Sequence, residues 1–141
     1  MKSLICAASV AMMLVVGGMA SRNTATAAAD DPESISKIMS TLHKGKKAPM
    51  SVLKTALKSD TPDWAAVKKE SEAYAKHSAD MPKNDPPKGD AEAFKKLAKA
   101  YADFAKDLEG AAKKEDLAAT QAAFKKISGS CKSCHEAHKE D

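Results

Sequence analysis

The chain has 141 residues, enough for one domain, and its 23 basic and 19 acidic residues give a net charge of +4. Lys2 and Arg22 lie in a segment that we expect to be removed, which leaves 21 basic residues and no arginine. Because arginine is the usual bidentate reader of phosphate, neither charge nor composition supports nucleic-acid binding. Aromatic residues are few, so the chain brings little large apolar bulk of its own to a core.

The first 29 residues have the pattern of a secretory signal peptide. Lys2 precedes an uncharged apolar run over 4–16, and small residues then end in an A-x-A cleavage site over 27–29, with a second site two residues earlier. The run is shorter than the roughly 20 residues that span a bilayer, which favours a cleaved signal over a membrane anchor. We therefore expect residues 1–29, with Cys6, to be lost on export to the periplasm. Residues 30–141 would form one domain that is not an integral membrane protein.

Helical periodicity runs through this domain, and no alternating pattern typical of strands is present. A first helix is predicted to open at Asp31 and to bend or break between Gly45 and Pro49, after which its apolar stripe resumes. A second helix is predicted from about 61 to 81, and a proline-rich loop follows over 82–89.

Two further helices complete the predicted fold. The third is capped by Asp90 and carries apolar residues at alternating spacings of three and four until it frays at Gly110. The fourth begins near Asp116 and continues through the final cysteines, with a weak point at Ser128–Ser130. Four amphipathic helices with short connections predict an all-α, antiparallel four-helix bundle whose C-terminal helix carries the cysteines.

Cys131, Cys134 and His135 form C-x-x-C-H, the motif of c-type haem attachment. On a helix, residues at i, i+3 and i+4 share one face. Two thiols there can bond the two vinyl groups at one side of a porphyrin, and the next imidazole then lies beneath the ring centre, where it can bind iron. The motif predicts one covalent haem c on Cys131 and Cys134, with His135 as an axial iron ligand.

Two other interpretations of a C-x-x-C pair fit less well. A thioredoxin-like pair needs a βαβ setting, and a zinc site needs further Cys or His ligands, of which only His138 is at hand. We interpret His138 as a partly exposed surface histidine and His77 in the same way. Lysines near the motif are more typical of a solvated helix face than of a docking surface for an acidic partner: Lys125, Lys126, Lys132 and Lys139.

The whole mature chain resembles the class II c-type cytochromes, the cytochrome c-prime and cytochrome c-556 family. The shared features are a C-terminal haem motif, the amphipathic helices before it, and the stretch from Ala122 to Ala137. The resemblance implies a left-turning four-helix bundle, often a homodimer, with haem packed near one end, and it carries over Cys131, Cys134 and His135. The family's first-helix arginine near a propionate is missing, and Lys37 is only a weak substitute.

Two functions are compatible with these residues. A one-electron carrier keeps six iron ligands, whereas a gas-binding haem protein leaves the sixth position open for NO or CO. We favour the electron carrier, with redox proteins as partners and no enzymatic activity, because Met39 and His43 lie four residues apart on the first helix and either could reach iron. A buried histidine needs a partner, which slightly favours His43. Low-spin members of the resembled family use a Met on this helix.

Overall fold

The computed structural model describes residues 31–140, so the predicted signal peptide lies outside the described residues. The described chain forms five α-helices and one 3₁₀ turn: α1 (Ile35–His43), α2 (Pro49–Ala56), α3 (Trp64–Ser78), the turn (Met81–Lys83), α4 (Ala91–Lys113) and α5 (Leu117–His138). Between residues 31 and 140 there is no strand, and the predicted all-α bundle is confirmed. None of the helices in this range combines the length and apolar character needed to cross a membrane.

Side-chain caps begin four of the five helices. Ser34, Asp63, Asp90 and Asp116 each occupy the N-cap position and accept hydrogen bonds from backbone N–H groups of the first turn. The α2 helix begins instead with Pro49, whose missing N–H would have had no partner at that position. The predicted starts at Asp90 and Asp116 are confirmed, whereas the first helix begins later than predicted.

The predicted first helix is divided into two. The α1 helix ends at His43, Lys44 is extended, and Gly45 has a φ of +100°, a conformation that residues with a Cβ rarely adopt. Pro49 then begins α2. The structure therefore has five helices where the periodicity predicts four. Two other predicted weak points do not interrupt a helix: α4 continues through Gly110, and α5 continues through Ser128–Ser130.

The helices pack in the order of the chain. The α2 helix contacts α3, α3 contacts α4 and α4 contacts α5, while α1 contacts α2 and α3. Consecutive helices with short connections run antiparallel in such bundles. The core takes apolar side chains from every helix, and those that are at most 2% exposed include Ile38, Leu42, Leu53, Val67, Tyr74, Phe94, Leu108 and Ile127. The main partners of α1 and α5 are different helices, and the site described below lies between these two.

Gly89, at the end of the loop before α4, offers a first test of this packing. Its φ is +84°, and a Cβ there would lie 2.6 Å from the carbonyl oxygen of Ala137 and 2.8 Å from Nδ1 of His138. We expect Gly89→Ala to lower the free energy of unfolding by about 3 kcal/mol, because backbone strain and a clash with α5 add together.

Gly45→Ala is the matched control for this substitution. Gly45 also has a positive φ, but a Cβ there would meet nothing within 4 Å. Strain alone should cost about 1 kcal/mol. Urea unfolding of the two variants measures the difference, and equal losses would contradict a close contact between Gly89 and α5.

Candidate functional site

A cavity of about 830 Å³ lies between α1 and α5, with α4 and the 82–89 loop forming its other walls. Its volume falls within the roughly 300–1,000 Å³ that is typical of ligand and cofactor pockets, and its lining is mainly apolar. All five predicted site residues line this cavity: Met39 and His43 on the α1 wall, and Cys131, Cys134 and His135 on the α5 wall. The structure therefore brings the C-x-x-C-H motif and both candidate sixth ligands to one place.

The three motif residues lie within about one turn of α5, since the helix continues unbroken through the preceding serines. Cys131 and Cys134 are partly buried free thiols, and His135 is exposed beside them. Burial raises the pKa of both cysteine thiols above the ordinary value. A helix thus presents two unpaired thiols and an imidazole to the same cavity, with the spacing that two bonds to one flat group require.

His43 belongs to a buried polar cluster at the C-terminal end of α1. Its Nε2 lies 3.1 Å from the hydroxyl of Tyr101 and 3.2 Å from the hydroxyl of Tyr74, and the Tyr101 hydroxyl donates to that of Tyr74 at 3.3 Å. Burial lowers the pKa of His43, with a further contribution from the charge of His135, and so favours the neutral imidazole. Burial also raises the pKa of both tyrosines, which keeps their hydroxyls protonated.

Met39 lies one turn before His43 on the same wall. It is partly buried, packs against the hydrophobic core and lines the cavity. Its thioether is only a weak hydrogen-bond acceptor, so little competes for the sulfur. The α1 wall therefore presents a thioether beside an imidazole whose Nε2 already contacts two hydroxyls.

His138 is buried, and the prediction of a partly exposed surface histidine is wrong. The residue is 4% exposed, its ring packs edge-on against Phe94, and its Nδ1 lies 3.2 Å from the carbonyl oxygen of Lys88. A carbonyl only accepts, so Nδ1 donates, and Nε2 is buried without a protein partner among residues 31–140. The helical spacing from Ile127 through Cys131 and Cys134 places His138 on the inner stripe of α5 and so indicates burial, while the residue that covers it lies 50 positions earlier in the chain.

His77 is partly exposed, as predicted, and it also contacts the residue just before α1. Its Nδ1 lies 2.5 Å from a carboxylate oxygen of Glu33. The backbone N–H of Glu33 donates to Asp80 at 3.0 Å, and the Asn84 side-chain amide donates to the carbonyl of Glu33 at 2.9 Å. These contacts join the start of α1 to the end of α3 and the 3₁₀ turn, and so they position the wall that carries Met39.

The four lysines near the motif are exposed, as a solvated helix face predicts. Lys132 pairs with Glu136 at 3.7 Å, and the ammonium of Lys126 lies 5.6 Å from the ring centre of Phe104. Lys139 differs from the others because it also lines the cavity. Lys37, the weak substitute for the family arginine, is exposed.

Comparison with known proteins agrees with this site. The model of the family described as Cytochrome C' matches residues 41–139, which is more than half of the chain and includes Cys131, Cys134 and His135. No curated protein and no solved structure matches the chain. The chain therefore belongs to the Cytochrome C' family, whose members are haem-binding cytochromes.

Proposed function

We propose that this protein is an exported c-type cytochrome that carries single electrons on one covalently attached haem. The observation that carries the proposal is the position of Cys131, Cys134 and His135 on the wall of a cofactor-sized cavity, in a member of the Cytochrome C' family. The two thiols would form thioether bonds to the haem, and His135 would bind its iron. The haem supplies the one-electron couple, and the protein holds it and shields it from water.

The other residues of the cavity fit a haem in two respects. The mainly apolar walls suit a porphyrin, which would add the large apolar surface that a chain with only six aromatic residues in total lacks. A cationic group is also present: the side chain of Lys139 lines the cavity and would be a partner for a haem carboxylate.

Electron transfer is favoured over NO or CO binding because Met39 lines the cavity on the α1 wall. A thioether there would fill the sixth position of the iron and raise its reduction potential. We propose Met39 rather than His43 as this ligand, since Nε2 of His43 is already engaged by Tyr74 and Tyr101. An iron with both axial positions filled also favours a carrier of electrons over an enzyme that activates a substrate at the metal.

Export to the periplasm is proposed from the signal-peptide pattern over residues 1–29. In that compartment a lone C-x-x-C pair would tend to oxidise unless a cofactor takes up its thiols, which fits the attachment of haem. The partners of the mature protein would be other redox proteins that approach the exposed end of the cavity, and the family resemblance is compatible with a homodimer.

Covalent attachment of the haem can be tested by extraction. Acid–acetone extraction should leave the haem on the wild-type protein, because two thioether bonds hold it. Cys131→Ala and Cys134→Ala should each keep at most one bond, and the double variant should release all of its haem. Ser133→Ala, which changes the residue between the two thiols that bonds only to the backbone of its own helix, is the control and should retain the haem fully. Release of haem from the wild-type protein would refute the proposal.

The identity of the sixth iron ligand can be tested by substitution on α1. Met39→Ala should convert a low-spin haem to a high-spin form that binds CO, and the reduction potential should fall because the thioether is lost. Ile35→Ala is the matched control, since Ile35 lines the same wall one turn earlier and should leave spin state and potential nearly unchanged. Reduced spectra with and without CO make the measurement. A wild-type protein that is already high-spin and binds CO would favour gas binding instead.

A further inference from the structure

The contacts of His43 bear on which side chain of α1 reaches the iron. Met39 and His43 lie one turn apart on one helix face and line the same cavity. Imidazole is the commonest metal ligand in proteins, so an unrestrained His43 beside an open iron position would compete with the thioether of Met39. A chain that carries both residues needs a structural reason for one of them to bind.

The two buried tyrosines supply such a reason. Nε2 of His43 lies within 3.2 Å of both phenol hydroxyls, which come from α3 and α4. Tyr74 is fully buried and Tyr101 is 8% exposed, so neither hydroxyl can readily exchange this contact for water. We propose that Tyr74 and Tyr101 act as positioning residues that hold His43 away from the iron and thereby leave the sixth position to Met39. This inference rests on the proposed function.

The hydrogen-bonding capacity of the three groups supports the proposal. When the Tyr101 hydroxyl donates to Tyr74, the hydrogen of Tyr74 is left to be accepted by Nε2 of His43, and the Tyr101 oxygen lies against Nε2 without a hydrogen bond between them. A neutral imidazole that accepts at Nε2 carries its proton on Nδ1, so neither ring nitrogen offers a free lone pair to a metal. For Nε2 to bind iron, the fully buried Tyr74 hydroxyl would have to lose its acceptor, which is unfavourable.

The distribution of these groups along the chain also supports a positioning role. Tyr74 and Tyr101 are separated from His43 by 31 and 58 residues, and they belong to the packed centre of the bundle. Tyr101 lines the cavity itself, whereas Tyr74 lies behind it. The imidazole therefore contacts the packed core of the bundle, while the side chain of Met39 lies at the cavity wall.

The test uses the haem-loaded mature protein and removes only hydroxyl groups. We expect the Tyr74→Phe, Tyr101→Phe double variant to lose the thioether-to-iron charge-transfer band of the ferric protein, and its reduction potential to fall as His43 replaces Met39. Adding His43→Ala to the double variant should restore the thioether band and the potential. This rescue separates ligand competition from a general disturbance of packing. Thr120→Val, which removes a buried hydroxyl of α5 outside the cavity, is the matched control and should change neither.

Each other outcome is decisive. An unchanged band and potential in the haem-loaded double variant would overturn the positioning role and leave the proposed function intact. A wild-type protein whose iron is bound by two imidazoles, one lost in His43→Ala, would overturn it as well. A wild-type protein without covalent haem would instead refute the proposed function, and this inference with it. If the double variant does not accumulate, Tyr74→Phe alone should show a partial loss of the band, and no loss would contradict the proposal.

Discussion

The position of α1 depends on polar contacts at its two ends, and the site depends on the position of α1. This helix has nine residues, too few to be stable in isolation, and it buries only Ile38 and Leu42 completely. Glu33, just before the helix, is joined to the end of α3 and the turn that follows, and His43, its last residue, is joined to the two central tyrosines. These contacts join α1 to α3 and α4 rather than to α5. A cavity therefore separates α1 from α5.

The opposite wall is held by contacts of α5 with α4 and the 82–89 loop. The α5 helix packs along α4, and its last turn is joined to the 82–89 loop by the hydrogen bond from His138 to the carbonyl of Lys88 and by the close approach of Gly89. The 82–89 loop therefore contacts both walls, because its Asn84 side chain donates to Glu33 before α1 and its Lys88 carbonyl accepts from His138 of α5. A group bound between them would be the main apolar link from one wall to the other, as expected of a small domain with so few aromatic side chains.

Sequence features that depend only on neighbouring residues, such as helical periodicity, caps and motif spacing, predict the helices and the arrangement of the C-x-x-C-H motif. Periodicity and caps predict the helices after residue 60 closely, and Gly45 with Pro49 indicates the division between α1 and α2, although not that the helix breaks completely. The C-x-x-C-H spacing predicts which side chains share the α5 wall, because a helix alone determines that geometry. The cluster of His43 with Tyr74 and Tyr101 was not predicted, since each tyrosine fits an ordinary core stripe and only the fold brings the hydroxyls together. The burial of His138 agrees with its place on the inner stripe of α5, but the 82–89 loop that covers it is brought there only by the fold.

The contacts that hold α1 in place are also those that engage its histidine, and this links stability to ligand choice. If His43 turned to the cavity, the C-terminal end of α1 would lose its connection to α3 and α4, and two buried hydroxyls would compete for fewer acceptors. Binding by Met39 carries no such cost, because its sulfur has little hydrogen-bonding capacity to lose. A thioether is a less common metal ligand than an imidazole. To displace Met39 from the iron, however, His43 would have to lose its contacts with Tyr74 and Tyr101. A weaker ligand can therefore be selected when the stronger one already contributes to the stability of the bundle.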